Sequence, residues 1–229
     1  MIALSPTLFI ALLGGITPSL LWLAFWLFED RCEPEPKRYI FFTFIVGGLA
    51  VAPVLFLEQY AAGMFAGTAL LLAWAFIEES FKFGAAYITS LRAYVFDEPL
   101  DAVIYLVTAA LGFAAVENSL FLFGSLGQGV LHGVITGDLR FIGATLLHTL
   151  SSATIGVALA LSFYKSAAFR ILYALLGVIL ATALHTLFNF FILGTGGDTT
   201  FFIFMVIWIG LVGILLAVER IKDPVRDYC

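Results

Sequence analysis

Residues 100–124 read LDAVIYLVTAALGFAAVENSLFLFG, an apolar run whose ionisable residues are Asp101 and Glu117. A helix needs roughly 20 mostly apolar residues to cross a bilayer, so this stretch is long enough to span one. In lipid, only helices and closed barrels satisfy their backbone hydrogen bonds, and runs of this length are helical. The stretch therefore predicts a transmembrane helix with a carboxylate, Glu117, inside the membrane.

Six further apolar segments fill most of the 229 residues. They are 3–28, 39–57, 64–90, 138–164, 170–193 and 200–219. The chain is 62% hydrophobic and 12% charged, against about 45–50% and about 25% in soluble domains, so a water-facing surface is excluded. It also lacks the basic cluster that nucleic-acid binding requires. We predict an all-α, multi-pass protein of the cell membrane, with about seven transmembrane helices in contact with the lipid bilayer. Because no loop is long enough for a soluble domain, residues 1–229 should form one transmembrane helical domain.

The basic residues predict the orientation of these helices. If seven spans alternate, most Lys and Arg residues fall on one side: Arg31, Lys37, Arg38, Arg92, Lys165, Arg170, Arg220, Lys222 and Arg226. The opposite side has Arg140, and Lys82 lies within a span. By the positive-inside rule, the N-terminus lies outside and the C-terminus lies in the cytoplasm.

Polar residues inside the predicted spans indicate function, since an ionisable group in a bilayer costs several kcal/mol. They fall on four neighbouring spans: Glu78, Glu79 and Lys82; Glu117 and Asn118; His148 and Ser152; His185 and Asn189. Residues four apart share one helix face, so the polar faces can converge on one pocket. On the predicted boundaries this pocket lies in the outer half of the membrane. The core that holds these motifs is 76–189.

Each of these residues also has a structural explanation when taken alone. A membrane His is often an interhelical hydrogen-bond partner, and Glu78 with Lys82 can form a structural ion pair. Three Glu and two His on four spans exceed what helix adhesion requires. Acidic residues at predicted helix ends are interpreted instead as caps or loop charges: Glu58, Asp97, Glu98, Asp101 and Asp138.

Glycines within the spans predict where helices approach closely, because small residues bring backbones together in membranes. The candidates are Gly14-Gly15, Gly47-Gly48 and Gly112.

The polar set allows two kinds of peptide hydrolysis. In the first, Glu78 and Glu79 share a proton and act as general base and then general acid, with Glu79 preferred as the base. In the second, His148, His185 and Glu117 bind a zinc ion, and another Glu activates its water. The residues themselves leave this choice open. Catalysis by a Ser or Cys nucleophile is disfavoured, since there is no Gly-x-Ser-x-Gly motif and no Cys within a span.

These motifs resemble the PrsW family of intramembrane proteases. The resemblance rests on Glu78-Glu79-x-x-Lys82, Phe113-x-x-x-Glu117-Asn118, His148 followed by Ser152, and His185 with Asn189. It implies a site-one protease that cuts a single-pass membrane protein near its outer surface, and in bacteria the implied substrate is a membrane anti-sigma factor. The CAAX prenyl endopeptidases are more distantly similar, because their motif is Glu-Glu-x-x-x-Arg.

The sequence therefore predicts an intramembrane endopeptidase whose catalytic residues are Glu78, Glu79, Glu117, His148 and His185. A proton-coupled transporter is the alternative, because buried Glu and His residues also relay protons. Inverted repeats and broken helices around a midplane site would favour the transporter. No repeat is visible, although Pro18 and Pro53 can kink their spans.

Overall fold

Helices form every regular element in the part of the chain that the computed structural model describes, residues 5–31, 33–139, 143–194 and 200–221. In chain order they are α1 Pro6–Glu29, α2 Lys37–Leu49, α3 Val51–Ala62, α4 Gly67–Ala86, α5 Pro99–Gly127, α6 Val130–Leu139, α7 Thr145–Leu161, α8 Ala167–Gly194 and α9 Thr200–Ile221. A π-helical turn, Tyr87–Leu91, continues α4. The predicted all-α, multi-pass membrane fold is confirmed.

Five helical stretches are long and apolar enough to cross a membrane: Pro6–Glu29, Lys37–Ala62, Pro99–Gly127, Ala167–Ile192 and Phe201–Ile221. The two other predicted spans correspond to α4 and α7. Helix α4 contains Glu78, Glu79 and Lys82, and α7 has only 17 residues. Helices α4 and α7, which are not among the five, thus carry much of the polar set. The seven-span count and the orientation remain predictions, and Arg140, Lys222 and Arg226 lie outside the described residues.

The segment before α7 differs from the prediction. We expected a break through Gly137, but 130–139 form helix α6. Apolar residues recur there at helical spacing, and they are exposed: Val130, Leu131, Val134 and Ile135.

Pro53 divides the second predicted span into α2 and α3. Proline has no N–H to donate to the carbonyl four residues earlier, which here belongs to Leu49, the last residue of α2. The Ala50 N–H still donates to the Val46 carbonyl at 3.0 Å. Pro18, in contrast, lies inside the continuous helix α1.

Helix α5 is the centre of the bundle and packs mainly against α1, α2 and α7. Glycines allow the closest of these contacts, as predicted. A β-carbon on Gly112 would overlap the carbonyl oxygen of Phe44, and one on Gly47 would overlap that of Ala109. This packing places α5, and with it Glu117, among the other helices that carry polar residues.

Helix α5 begins with a capping box. The Asp101 carboxylate accepts the backbone N–H groups of Asp97 at 2.9 Å and Glu98 at 2.8 Å, and the Glu98 side chain caps in return. The predicted capping role of Glu98 and Asp101 is confirmed.

A buried carboxyl pair joins the α1–α2 loop to α5. Glu35 is 9% exposed; its carboxyl accepts a hydrogen bond from the Tyr105 hydroxyl and lies close to the Asp101 carboxyl. Burial, followed by the interaction with Asp101, raises the pKa of Glu35 from 4.5 to about 9. Glu35 is therefore protonated in the folded protein at neutral pH.

We expect the protein to lose stability as the pH rises through this window. The contribution of Glu35 is complete below pH 4.5, the unfolded pKa, and is lost by about pH 9, the folded pKa, because only the unfolded chain releases this proton readily. Thermal unfolding in detergent between pH 5 and 9 measures the effect. Glu35→Gln, which stays neutral, should have a shallower decline, and equal slopes for the two proteins would contradict the assignment.

A second prediction concerns the contact between α2 and α5. Gly112→Ala should lower the free energy of unfolding by about 1–3 kcal/mol, since the added methyl group forces the two backbones apart. Gly124→Ala is the matched control on the same helix, because its β-carbon meets nothing within 4 Å. If both variants unfold at the wild-type temperature, the backbone contact is not tight.

Candidate active site

Side chains from α4, α5, α7 and α8 meet in one buried polar cluster. Its members are Glu78, Glu79 and Lys82 from α4, Glu117 from α5, His148, Ser151 and Ser152 from α7, and His185 from α8. Except for Glu117, these side chains are buried. The structure thus brings together all five residues that the sequence predicts as catalytic.

Glu79 is the hub of the cluster. Its Oε1 accepts hydrogen bonds from Lys82 Nζ at 2.6 Å and Ser151 Oγ at 2.9 Å, and it contacts His185 Nδ1 at 2.9 Å. Its Oε2 accepts from Ser152 Oγ at 3.2 Å. Three of these contacts are on Oε1 and one is on Oε2, and together they tie α4, α7 and α8 to one carboxylate.

His148 lies between two polar partners. Its Nε2 is 3.0 Å from Glu117 Oε2, and its Nδ1 is 2.9 Å from Lys82 Nζ. The ring also packs edge-on against His185, with 5.3 Å between the ring centroids. Each histidine therefore has one nitrogen held by a carboxylate, His148 by Glu117 and His185 by Glu79.

Glu78 faces the remaining nitrogen of each histidine. Its Oε2 is 3.7 Å from His148 Nδ1, and its Oε1 is 3.8 Å from His185 Nε2. Oε2 is also 3.6 Å from Lys82 Nζ. This buried oxygen accepts no hydrogen bond from the described residues, so it is a carboxylate oxygen available for a further partner.

Glu78, His148 and His185 form a group that can hold a metal ion, since one ligand atom from each lies within 4.8 Å of the other two. Two imidazoles and a carboxylate are a known catalytic zinc set, and zinc-bound histidines usually donate their other N–H to a carboxylate or carbonyl. Glu79 and Glu117 stand at those other nitrogens. The geometry thus favours Glu78 as the third ligand, where the sequence prediction had Glu117.

The electrostatic balance also favours a cation. Two carboxylates, Glu78 and Glu79, lie 3.6 and 2.6 Å from the one ammonium group of the cluster, that of Lys82, and a third, Glu117, lies against His148. Lys82 is fully buried, and its Nζ lies 5.1 Å from the centroid of the Phe113 ring. Buried negative charge requires compensation by protons or by a positive ion.

The supporting residues differ in how closely they join this cluster. Asn118 Nδ2 donates to Thr145 Oγ1 at 2.9 Å, which links α5 to the start of α7 beside His148. Ser152 binds Glu79 directly. Asn189 is half-buried one turn after His185, and among the described residues no hydrogen bond connects it to the cluster.

Sequence reasoning missed two members of the site. It gave no role to Ser151, because a serine in a membrane helix usually bonds to its own backbone, as this one also does to Leu147 O at 2.9 Å. It interpreted Glu58 as a cap or loop charge at a helix end, whereas the structure places it within α3, which continues to Ala62, and close enough to Glu78 to interact with it. The apolar residues after Glu58, from Ala61 to Phe65, were the available signal.

Comparison with known proteins identifies the family. Residues 35–215 match the PrsW family intramembrane metalloproteases, a range that includes every member of the cluster. No solved structure matches the fold.

Curated relatives agree with this match. Protease PrsW of Bacillus subtilis is 27% identical over 187 residues, covering 80% of this chain and 83% of the relative. Protease PrsW of Halalkalibacterium halodurans is 27% identical and covers 94% and 97% of the two chains. Protease PrsW of Geobacillus kaustophilus is 31% identical over 62% of each. The chain belongs to the PrsW family of intramembrane proteases.

Proposed function

We propose that this protease uses a zinc ion held by Glu78, His148 and His185 to cut single-pass membrane proteins near their extracytoplasmic side. The observation that carries the proposal is the arrangement of these three ligands, with Glu79 and Glu117 at the far nitrogens of the two histidines. The match to a metalloprotease family supports the use of a metal.

The unbonded oxygen of Glu78 supports the fit to zinc. A ligand set of two His and one Glu leaves a fourth position for water, as in catalytic zinc sites. Bound zinc would supply a Lewis acid for the peptide carbonyl and lower the pKa of the water. In this structure the Lys82 ammonium contacts His148 Nδ1 at 2.9 Å, so metal binding there would replace that contact and leave Lys82 on Glu79.

In this proposal, Glu79 and Glu117 orient the two histidines. Glu79 fixes His185 through Nδ1 and turns Nε2 towards Glu78. Glu117 fixes His148 through Nε2 in the same way. We predicted Glu79 as the general base, but Lys82, two serines and His185 already contact its oxygens. In a mechanism without a metal, Glu78, whose Oε2 has no hydrogen-bond donor among the described residues, is the better placed proton acceptor.

The substrate hypothesis concerns the outer half of the membrane. If the seven predicted spans alternate, the cluster lies nearer the outer surface, so the cut falls near the extracytoplasmic end of a substrate helix. The family resemblance makes a membrane anti-sigma factor the substrate class, with this cut as the first, site-one step of a stress signal. Membership of a protease family favours this function over the proton-coupled transporter, although the α2–α3 break is a feature that transporters share.

The central prediction is that Glu78→Gln reduces cleavage by at least about 100-fold. The change removes a proposed zinc ligand, and in the metal-free alternative it removes the acid–base group, whose loss typically costs that much. Membrane fractions of cells expressing each variant can be compared for fragments of single-pass membrane proteins. Fragments cut near the extracytoplasmic side should appear with the wild type and disappear with Glu78→Gln.

Glu33→Gln is the matched control, because it removes an exposed carboxylate from the α1–α2 loop, outside the cluster. It should cleave like the wild type. If Glu78→Gln and the wild type give identical fragments at equal expression, proteolysis does not depend on this cluster.

The second prediction concerns the metal. Purified wild-type protein should contain one zinc ion per chain, and His148→Gln or His185→Gln should lose it. Glu79→Gln and Glu117→Gln should weaken zinc binding by about 10- to 100-fold, as expected for groups that orient metal-bound histidines. Elemental analysis and competition with a coloured chelator measure both effects.

An active protein that contains no metal and resists chelators would overturn the zinc proposal. It would leave proteolysis intact and support the glutamic mechanism, with Glu78 as the base.

A further inference from the structure

Glu58 lies on α3, four residues and about 6 Å of helix before the end at Ala62. Its backbone is fixed independently of its side chain, because Trp74 Nε1 on α4 donates to the Glu58 carbonyl oxygen at 3.1 Å. This bond holds α3 against α4 at the level of the cluster.

The Glu58 side chain reaches the candidate metal ligand. Trp74 and Glu78 lie four residues apart on one face of α4, so the Trp74 bond brings Glu58 alongside Glu78. The Glu58 carboxyl is close enough to Glu78, Glu117 and Lys82 to interact with them. Three carboxyl groups from three helices, α3, α4 and α5, are therefore neighbours.

The carboxyl groups differ in exposure. Glu79 is fully buried and Glu78 is 5% exposed, whereas the Glu117 side chain is 17% exposed and Glu58 is partly exposed. Glu58 and Glu117 therefore form the partly accessible edge of the cluster, which we call the mouth.

The surroundings of Glu58 make its position costly. Leu55, Phe56 and Tyr60 on the same helix are 44, 72 and 67% exposed, as expected for a surface that faces lipid. An ionisable group on such a surface is rare and is usually functional. Its contact with Glu78 supplies the reason for it here.

We propose that Glu58 is a positioning residue of the active site, which holds Glu78 in its ligand orientation and keeps the mouth hydrated. This inference rests on the proposed metalloprotease function. Glu58 supports Glu78 as Glu79 and Glu117 support the two histidines, so each ligand of the metal group has a carboxyl partner. Hydrolysis consumes water, and polar groups at the mouth give water a path into an otherwise apolar surface.

The test compares Glu58→Leu with Glu58→Gln in the full-length protein. Glu58→Leu should weaken zinc binding by about 10- to 100-fold, as expected for the loss of a group that orients a metal ligand, and should lower kcat more than KM. Glu58→Gln retains a hydrogen-bonding group and should remain within a few-fold of the wild type. Both variants keep the Trp74 bond, because that bond uses the backbone of Glu58.

Two controls separate positioning from folding. Gln59→Leu adds the same apolar side chain at the neighbouring exposed position and should bind zinc normally. Trp74→Phe removes the bond to the Glu58 carbonyl but keeps the carboxyl, so it should lower the unfolding temperature more than zinc affinity.

The inference is overturned if Glu58→Leu, folded like the wild type, binds zinc with unchanged affinity and has unchanged kcat. If the wild type itself proves metal-free, the zinc proposal fails separately, and kcat decides the role of Glu58. In that case, a tenfold or greater loss of kcat in Glu58→Leu, with no such loss in Glu58→Gln, supports the view that Glu58 positions Glu78 as the base. If Glu58→Leu has the same kcat as the wild type, that view is rejected.

Discussion

The contacts of the buried Glu79 carboxylate are the interactions on which the site depends. A bare charge in the membrane interior costs several kcal/mol, and Glu79 offsets that cost through contacts with Lys82 on α4, two serines on α7 and His185 on α8. These partners can all be satisfied only when the three helices stand in one register. These contacts therefore fix the spacing of the two histidines. Because Glu78 is the neighbour of Glu79 on α4, they also direct the Glu78 side chain towards those histidines.

The helix packing makes this hub attainable. Short or polar helices such as α4 and α7 have little apolar surface with which to anchor themselves, and α7 lies against α5, the most enclosed helix of the bundle. Glycines also allow the backbones of α2 and α5 to touch each other. Van der Waals packing of this kind drives helix association in lipid. A rigid apolar frame thus surrounds a polar cluster that would otherwise draw in water or separate.

The sequence predicted this arrangement well where one helix face carried the signal. Periodicity placed Glu78 with Lys82 and His148 with Ser152 on common faces, and the structure brings both pairs into the cluster. It could not predict which nitrogen of His148 faces Glu117 or which carboxylate completes the metal group, because those distances depend on how helices rotate against one another. Glu58 was missed for a related reason, since a predicted span that stopped at 57 left this carboxyl outside the membrane.

Charge balance connects the hub, the candidate ligands and the mouth. Lys82 compensates Glu79 at 2.6 Å and is farther from Glu78, at 3.6 Å, so the second carboxylate is only partly neutralised. Glu78 then needs a proton or a metal ion, and each choice supports one mechanism of peptide hydrolysis. Two imidazoles face the same carboxylate, so the three side chains together offer the nitrogen and oxygen ligands that a metal ion requires. The Glu58 carboxyl at the mouth is consistent with this choice, because a ligand carboxylate must keep one orientation, whereas a lone proton carrier need not.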